Sequence, residues 1–204
     1  FYLDFEAMNP AIPLFTGTRP YQRIPFQWSL HTRFGNGPLK HQEFLADAAS
    51  DPRRAFATSL IDAIADSDVP IAVYSSYERS VLSELARDFP DLADQISDIT
   101  ARLIDLLAVV RREVYLASFN GSFSIKTVGP ALAPGLTYDD LETVRDGEAA
   151  SIAFQRLAAG GIENAEVQAL RNALLAYCAR DTLAMVAVHD GLRALVHGTR
   201  IAAE

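Results

Sequence analysis

The feature that most constrains the fold of this chain is a change of hydrophobic period partway along it. Up to Leu45 the apolar residues come in short runs rich in β-formers. Phe1–Ala7 (FYLDFEA) and Pro25–Phe34 (PFQWSLHTRF) read as strands. Leu39–Leu45 reads as a hairpin partner across the turn-dense Phe34-Gly35-Asn36-Gly37-Pro38. Ser50-Asp51-Pro52 then signals a helix start, with Phe56, Leu60, Ile61 and Ile64 at helical spacing. An apolar strand over Val69–Tyr74 precedes a second helix over Tyr77–Phe89, and a strand near Ala101–Ile104 runs into a helix through Val109 and Val110. Beyond about residue 119 the pattern is helical, broken by loops at Ala133-Pro134-Gly135 and Gly160-Gly161 and ending in a long stretch from Ala165 to His197. Strands first, then strands alternating with helices, then a helical tail predict an α/β fold. Its sheet would be mixed, an antiparallel three-stranded meander plus parallel strands, flanked by helices.

Length and composition narrow the setting. The 204 residues suit one domain, 1–204, large enough to bury about 70% of the surface of its unfolded chain without staples. The single cysteine, Cys178, rules out an internal disulfide and a cysteine-cluster zinc site. No apolar run reaches about 18 residues, and no basic-then-apolar leader opens the chain, so the expectation is a cytoplasmic protein with no membrane partner. Because Phe1 begins a strand with no initiator Met, the domain is expected to be excised from a longer protein whose other domains are its partners. The formal net charge of −8 counts against a surface that grips phosphates broadly. It leaves room for an enzyme whose acids are concentrated on metal ions.

Carboxylates carry the chemistry. In the first strand Asp4 and Glu6 point to one face, while Leu3 and Phe5 point to the other. Two carboxylates side by side among apolar neighbours are costly unless neutralised, and hard carboxylate oxygens suit magnesium or manganese. An edge strand with its polar face in water explains the same pair. Glu78 follows Val73-Tyr74-Ser75-Ser76-Tyr77 just inside a helix, where the helix dipole alone favours an acid. Near the other end, Tyr177 and Asp181 are four apart in YCARD and share a helical face.

Other candidates are weaker. His31, His41, His189 and His197 have no close metal-binding spacing and read as structural. Cys178 reads as a small core residue, and no nucleophile elbow or phosphate-cradling loop is present. Arg111-Arg112 reads as a solvated face. Ser-capping of a helix start accounts for Gly121-Ser122-Phe123-Ser124-Ile125-Lys126.

Together these residues make the chain similar to a known superfamily. An Asp-x-Glu in the first strand (YLDFEA), an acid at a strand-to-helix turn and a late helical Tyr-x-x-x-Asp (YCARDTLAMV) resemble, in that order, the three motifs of the DEDDy class of RNase H-like 3′–5′ exonucleases. PYQRIPFQWSLH and GSFSIKTVGPAL add a closer likeness to an uncharacterised bacterial domain-of-unknown-function family of that fold. The resemblance covers about Phe1 to Ala187. It implies an RNase H-like mixed sheet and a nuclease that hydrolyses phosphodiester bonds of single-stranded DNA or RNA from the 3′ end. Two Mg2+ or Mn2+ ions, about 3.5–4 Å apart, would be its cofactors. Asp4 would bridge them, with Glu6, Glu78 and Asp181 completing the ligand set, and Tyr177 would orient the attacking water. Asp105 is a rival fourth acid, and Ser122 and Lys126 are candidates to contact substrate phosphate. The sequence departs from the class pattern at Glu78, where Asp is usual. That departure and the negative charge favour an alternative, a weak or inactive nucleic-acid-binding or scaffolding module.

Overall fold

The computed structural model describes residues 1–35, 37–64 and 67–198. Asn36 of the expected hairpin turn and residues 199–204 of the expected domain lie outside the described residues.

β1 (Tyr2–Met8) forms the centre of a five-stranded sheet ordered β3-β2-β1-β4-β5. It pairs antiparallel with β2 (Ile24–Thr32), from Tyr2 opposite His31 to Met8 opposite Ile24, with a bulge between Glu6 and Ala7. β3 (Lys40–Leu45) continues the meander antiparallel to β2. On the other side of β1, β4 (Ile71–Val73) and β5 (Leu103–Asp105) run parallel. This is the expected mixed sheet, a meander joined to parallel strands.

Helices cover both faces, and every residue of β2 is buried. α1 (Arg53–Ile64), α2 (Tyr77–Asp88) and α3 (Ala93–Ala101) lie on one side. Their Phe56, Leu60, Val81, Leu82 and Ile96 pack on Leu3, Phe5, Trp28 and Leu30 of the sheet. Beyond β5 come α4 (Leu106–Glu113) and α5 (Ile125–Leu132), followed by α6 (Gly147–Ala159) and α7 (Asn164–Val196). α6 and α7 cover the opposite face, where Phe26 stacks on Phe154 with ring centroids 4.0 Å apart. At 33 residues, α7 is about 50 Å long and crosses β1, β2 and β3. It meets α5 closely at Gly191, where a Cβ would stand 2.8 Å from that of Leu132.

Two stretches differ from the sequence reading. Ala101 ends a helix rather than opening a strand, and β5 begins at Leu103. That helix, α3, buries only Ile96 and Ile99, too few apolar positions to establish a period. The loop expected at Ala133-Pro134-Gly135 is present but runs on, and the helical reading fails from Leu136 to Asp146, an irregular stretch. Here Thr137 and Asp139 bond to each other in a local turn, and Asp146 caps α6 by accepting from the Ala149 N–H.

Candidate functional site

Strand alternation at the centre of the sheet divides β1 between two environments. Leu3 and Phe5 enter the core under α1–α3, whereas Asp4 and Glu6 line a cleft of about 680 Å3 on the other face. α7 closes that face and contributes Tyr177 and Asp181, one helical turn apart. The tight connection from β4 to α2 contributes Tyr74, Ser75, Tyr77 and Glu78. Ser75 takes an uncommon φ of 131°, and its hydroxyl accepts from the Tyr77 N–H at 3.1 Å. Strain at such a turn persists only where the surroundings hold it. The far rim is α6, through Gly147, Glu148, Ser151, Ile152 and Gln155.

Four carboxylates from three elements therefore meet in one place. Asp4 keeps part of its surface open to the cleft, while Glu6, Glu78 and Asp181 are only 6%, 2% and 6% exposed. No arginine or lysine forms an ion pair with any of the four among the described residues. Burial, then the charges of Asp181, Glu6 and Glu78, hold Asp4 well above the usual carboxylate range. Burial and the charge of Asp181 do the same to Glu6. Burial pushes Glu78 up to about 7, against its own backbone hydrogen bond. Asp181 is also raised by burial, opposed by hydrogen bonding from Tyr138 and by the charge of Lys126.

The polar groups around these acids complete the picture. Tyr138 donates to Asp181 Oδ1 at 2.6 Å. Lys126 sits with its ammonium 4.8 Å over the Tyr177 ring and 5.7 Å over that of Tyr138, and donates to the Arg145 carbonyl. The buried thiol of Cys178 lies 3.5 Å from Asp4 Oδ2; burial and the surrounding carboxylates push its pKa up, so it stays a neutral donor. Burial and the charge of Asp181 likewise raise Tyr177 far above an ordinary phenol, which keeps its proton in place.

Glu78 Oε2 is buried with no hydrogen-bond partner. An orphaned carboxylate oxygen beside two other buried acids and the partly open Asp4 is costly unless a cation neutralises it. Among the described residues, Asp4, Glu6 and the Cys178 thiol bring ligand atoms within 4.8 Å of one another. The thiol is held neutral by burial and the neighbouring acids, so the carboxylate oxygens are the donors that fit a divalent cation of the magnesium or manganese type.

Of the residues expected from sequence, Asp4, Glu6, Glu78, Tyr177 and Asp181 all line the cleft. Asp105 does not: it caps α4, accepting from the Leu107 and Ala108 N–H groups at 2.8 and 3.3 Å. Ser122 is engaged locally, accepting from Ser124 N–H and the Thr127 hydroxyl, while Ser124 caps α5. Lys126 faces the acids, close enough for its charge to act on Glu6 and Asp181. The histidines take structural places: His31 stacks on His41 with centroids 4.4 Å apart and bonds Thr182, and Tyr2 bonds His189. Sequence reasoning missed Tyr138, the Cys178–Asp4 contact and the α6 rim. The one available signal was the loop itself, since Pro134-Gly135 precedes Thr137-Tyr138-Asp139-Asp140 with no apolar period.

Fold and site define a mixed α/β protein with a buried, metal-suited carboxylate cluster in an open cleft. The chain belongs to the family described as Domain of unknown function (DUF2779), which matches residues 1–124. That match takes in β1–β5 and Glu78, while Tyr177 and Asp181 on α7 lie beyond it. No curated protein and no solved structure matches the chain. No helix among the described residues is long and apolar enough to cross a membrane.

Proposed function

We propose that this chain is a divalent-metal-dependent nuclease of the RNase H-like superfamily, a 3′–5′ exonuclease of the tyrosine (DEDDy) class acting on single-stranded DNA or RNA. The observation that carries the reading is the unpartnered, buried Glu78 Oε2 beside the buried Glu6 and Asp181 and the partly open Asp4, none of them in an ion pair with an arginine or lysine among the described residues. The strand order β3-β2-β1-β4-β5, antiparallel through the meander and parallel beyond β1, supports the superfamily.

Asp4, Glu6, Glu78 and Asp181 would hold two Mg2+ or Mn2+ ions. When bound, such ions supply an acidified water and charge neutralisation at the phosphodiester. The residues of the chain then have separate tasks. Tyr177, protonated and at the cleft wall, is a hydrogen-bond donor that orients water rather than a nucleophile. Tyr138 fixes Asp181. Lys126 contributes the positive charge that faces the acids and would meet a substrate phosphate. The Ser75 turn aims Glu78 inward despite its longer arm.

The test is manganese-dependent digestion of 5′-labelled single-stranded DNA and RNA beside Asp4→Ala. A ladder shortening from the 3′ end, absent in the variant, is expected. A second reading, a binding or scaffolding module without turnover, is favoured by glutamate at position 78 and by the net charge of −8. Intact substrate with folded wild-type protein decides for it.

A further inference from the structure

Beside the cleft, on the far side of Tyr74, lies a group of aromatic residues with a cation. Tyr74 lines the cleft and donates its hydroxyl to the Phe123 carbonyl at 2.9 Å. The Phe123 ring is half-buried, with Tyr115 6.0 Å and Phe119 6.0 Å away between centroids. Phe119 is fully buried among Val110, Val128, Leu132 and Val188 and anchors the group from beneath. Tyr115 is the opposite case: its side chain is 62% exposed, yet its hydroxyl is held by the Gly121 N–H at 3.2 Å. Asn120 and Gly121, at φ 45° and 79°, make the tight turn that brings that N–H round. Over Phe123, at 5.9 Å, stands the guanidinium of Arg111, which makes no hydrogen bond or ion pair among the described residues.

Resting on the nuclease reading of the cleft, we propose that Tyr115, Phe123 and Arg111 form a stacking platform for an unpaired base of the substrate strand upstream of its 3′ end. A base offers a π-face to an exposed, oriented phenol, and the guanidinium serves both the ring face and the adjoining phosphate. Charge complementarity is local: Arg111, without an ion-pair partner among the described residues, places a cation at an exposed aromatic surface, where it attracts a phosphate against the negative charge of the rest of the chain. Continuity fixes the path: a strand whose end lies among the carboxylates passes Tyr74 and meets Phe123, while Lys126, three residues on, covers Tyr177. Duplex substrate cannot use the platform, since its bases are stacked on one another.

The experiment is fluorescence anisotropy with a 5′-labelled oligothymidylate about ten nucleotides long and its abasic counterpart, in calcium buffer, beside the manganese digestion already described. Wild-type protein is expected to bind the base-bearing strand about five- to tenfold more tightly than the abasic one. Tyr115→Ala is expected to lose that difference, and Tyr115→Trp to keep it. Position 115 is at the surface, and circular dichroism verifies the fold of both variants. Equal wild-type affinity for the two strands, or an undiminished preference in Tyr115→Ala, overturns the platform. If digestion proceeds in that case, the nuclease reading stands without it; absent digestion with base-dependent binding instead leaves the platform and removes the nuclease.

Discussion

The hydroxyl of Tyr138 donates to the carboxylate of Asp181 across 2.6 Å, joining an irregular loop to the middle of α7. The neighbouring Arg180 grips Asp140 of the same loop through two bonds of 2.7 and 2.8 Å and also donates to the Thr137 carbonyl. Two consecutive helix residues thus hold one loop in place, and the loop in turn holds one of the four acids.

The two tyrosines at Asp181 should separate in their effects. Tyr138→Phe leaves a buried carboxylate short of a donor, at a cost of about 1–3 kcal/mol, and is expected to lower the melting temperature. Tyr177→Phe is expected to keep the manganese-induced stabilisation and lose turnover. Thermal unfolding with and without manganese, beside digestion rates, checks both; an unchanged rate in Tyr177→Phe removes that hydroxyl from the mechanism.

Metal should stabilise the wild type. Manganese at 100 times its Kd adds about 2.7 kcal/mol by mass action, which for a chain of this size is a rise of about 5–10 °C. Asp4→Ala is expected to melt higher than the wild type in chelator, because it relieves repulsion among the acids, and to lose the manganese response. A variant that unfolds instead shows the acid to be structural.

Without metal, stability should fall with rising pH through the window Glu78 defines. Its folded pKa, about 7, lies above the ordinary 4.5, so the native state retains a proton that the unfolded chain has released. The contribution is fully present below about pH 4.5 and is lost as pH rises through about 7, an effect on the order of 3 kcal/mol. His31, lowered to about 4 by burial, acts in the opposite sense between about 4 and 6.5. Comparing Glu78→Gln with the wild type in urea at several pH values cancels that term. The variant should be relatively more stable at pH 8 than at pH 5, and parallel curves refute the assignment.

A contact away from the cleft provides the contrast. Gly191→Ala places a methyl 2.8 Å from the Leu132 Cβ and 3.3 Å from its carbonyl, where α5 and α7 meet. The overpacking should cost about 1–3 kcal/mol, read as a lower urea midpoint, while the manganese-induced rise in melting temperature stays as large as in the wild type.

Much of this architecture was legible because local pattern and global position agree. Asp4 and Glu6 alternate with Leu3 and Phe5, and the sheet realises that alternation with helices on both faces. Tyr177 and Asp181 sit at a spacing that a single helix turns to one side, and Ser50-Asp51-Pro52 precedes α1 as expected. What stayed hidden depends on contacts between distant segments. Nothing near Tyr138 announces that Arg180 and Asp181 will seize its loop, and nothing near Asp105 distinguishes a helix cap from a cleft acid until Glu78 is seen beside Asp4. Cys178 was readable as buried, but its thiol meets an acid 174 residues away.

That separation bears on how the protein comes into being. Chains are made from the N-terminus, so Asp4, Glu6 and Glu78 are synthesised well before α7. Until α7 docks across the strands, the acids of β1 face water and lack Asp181, Tyr177 and the loop those residues hold. The cleft cannot exist before α7 is made; it arrives only when that helix docks across the strands.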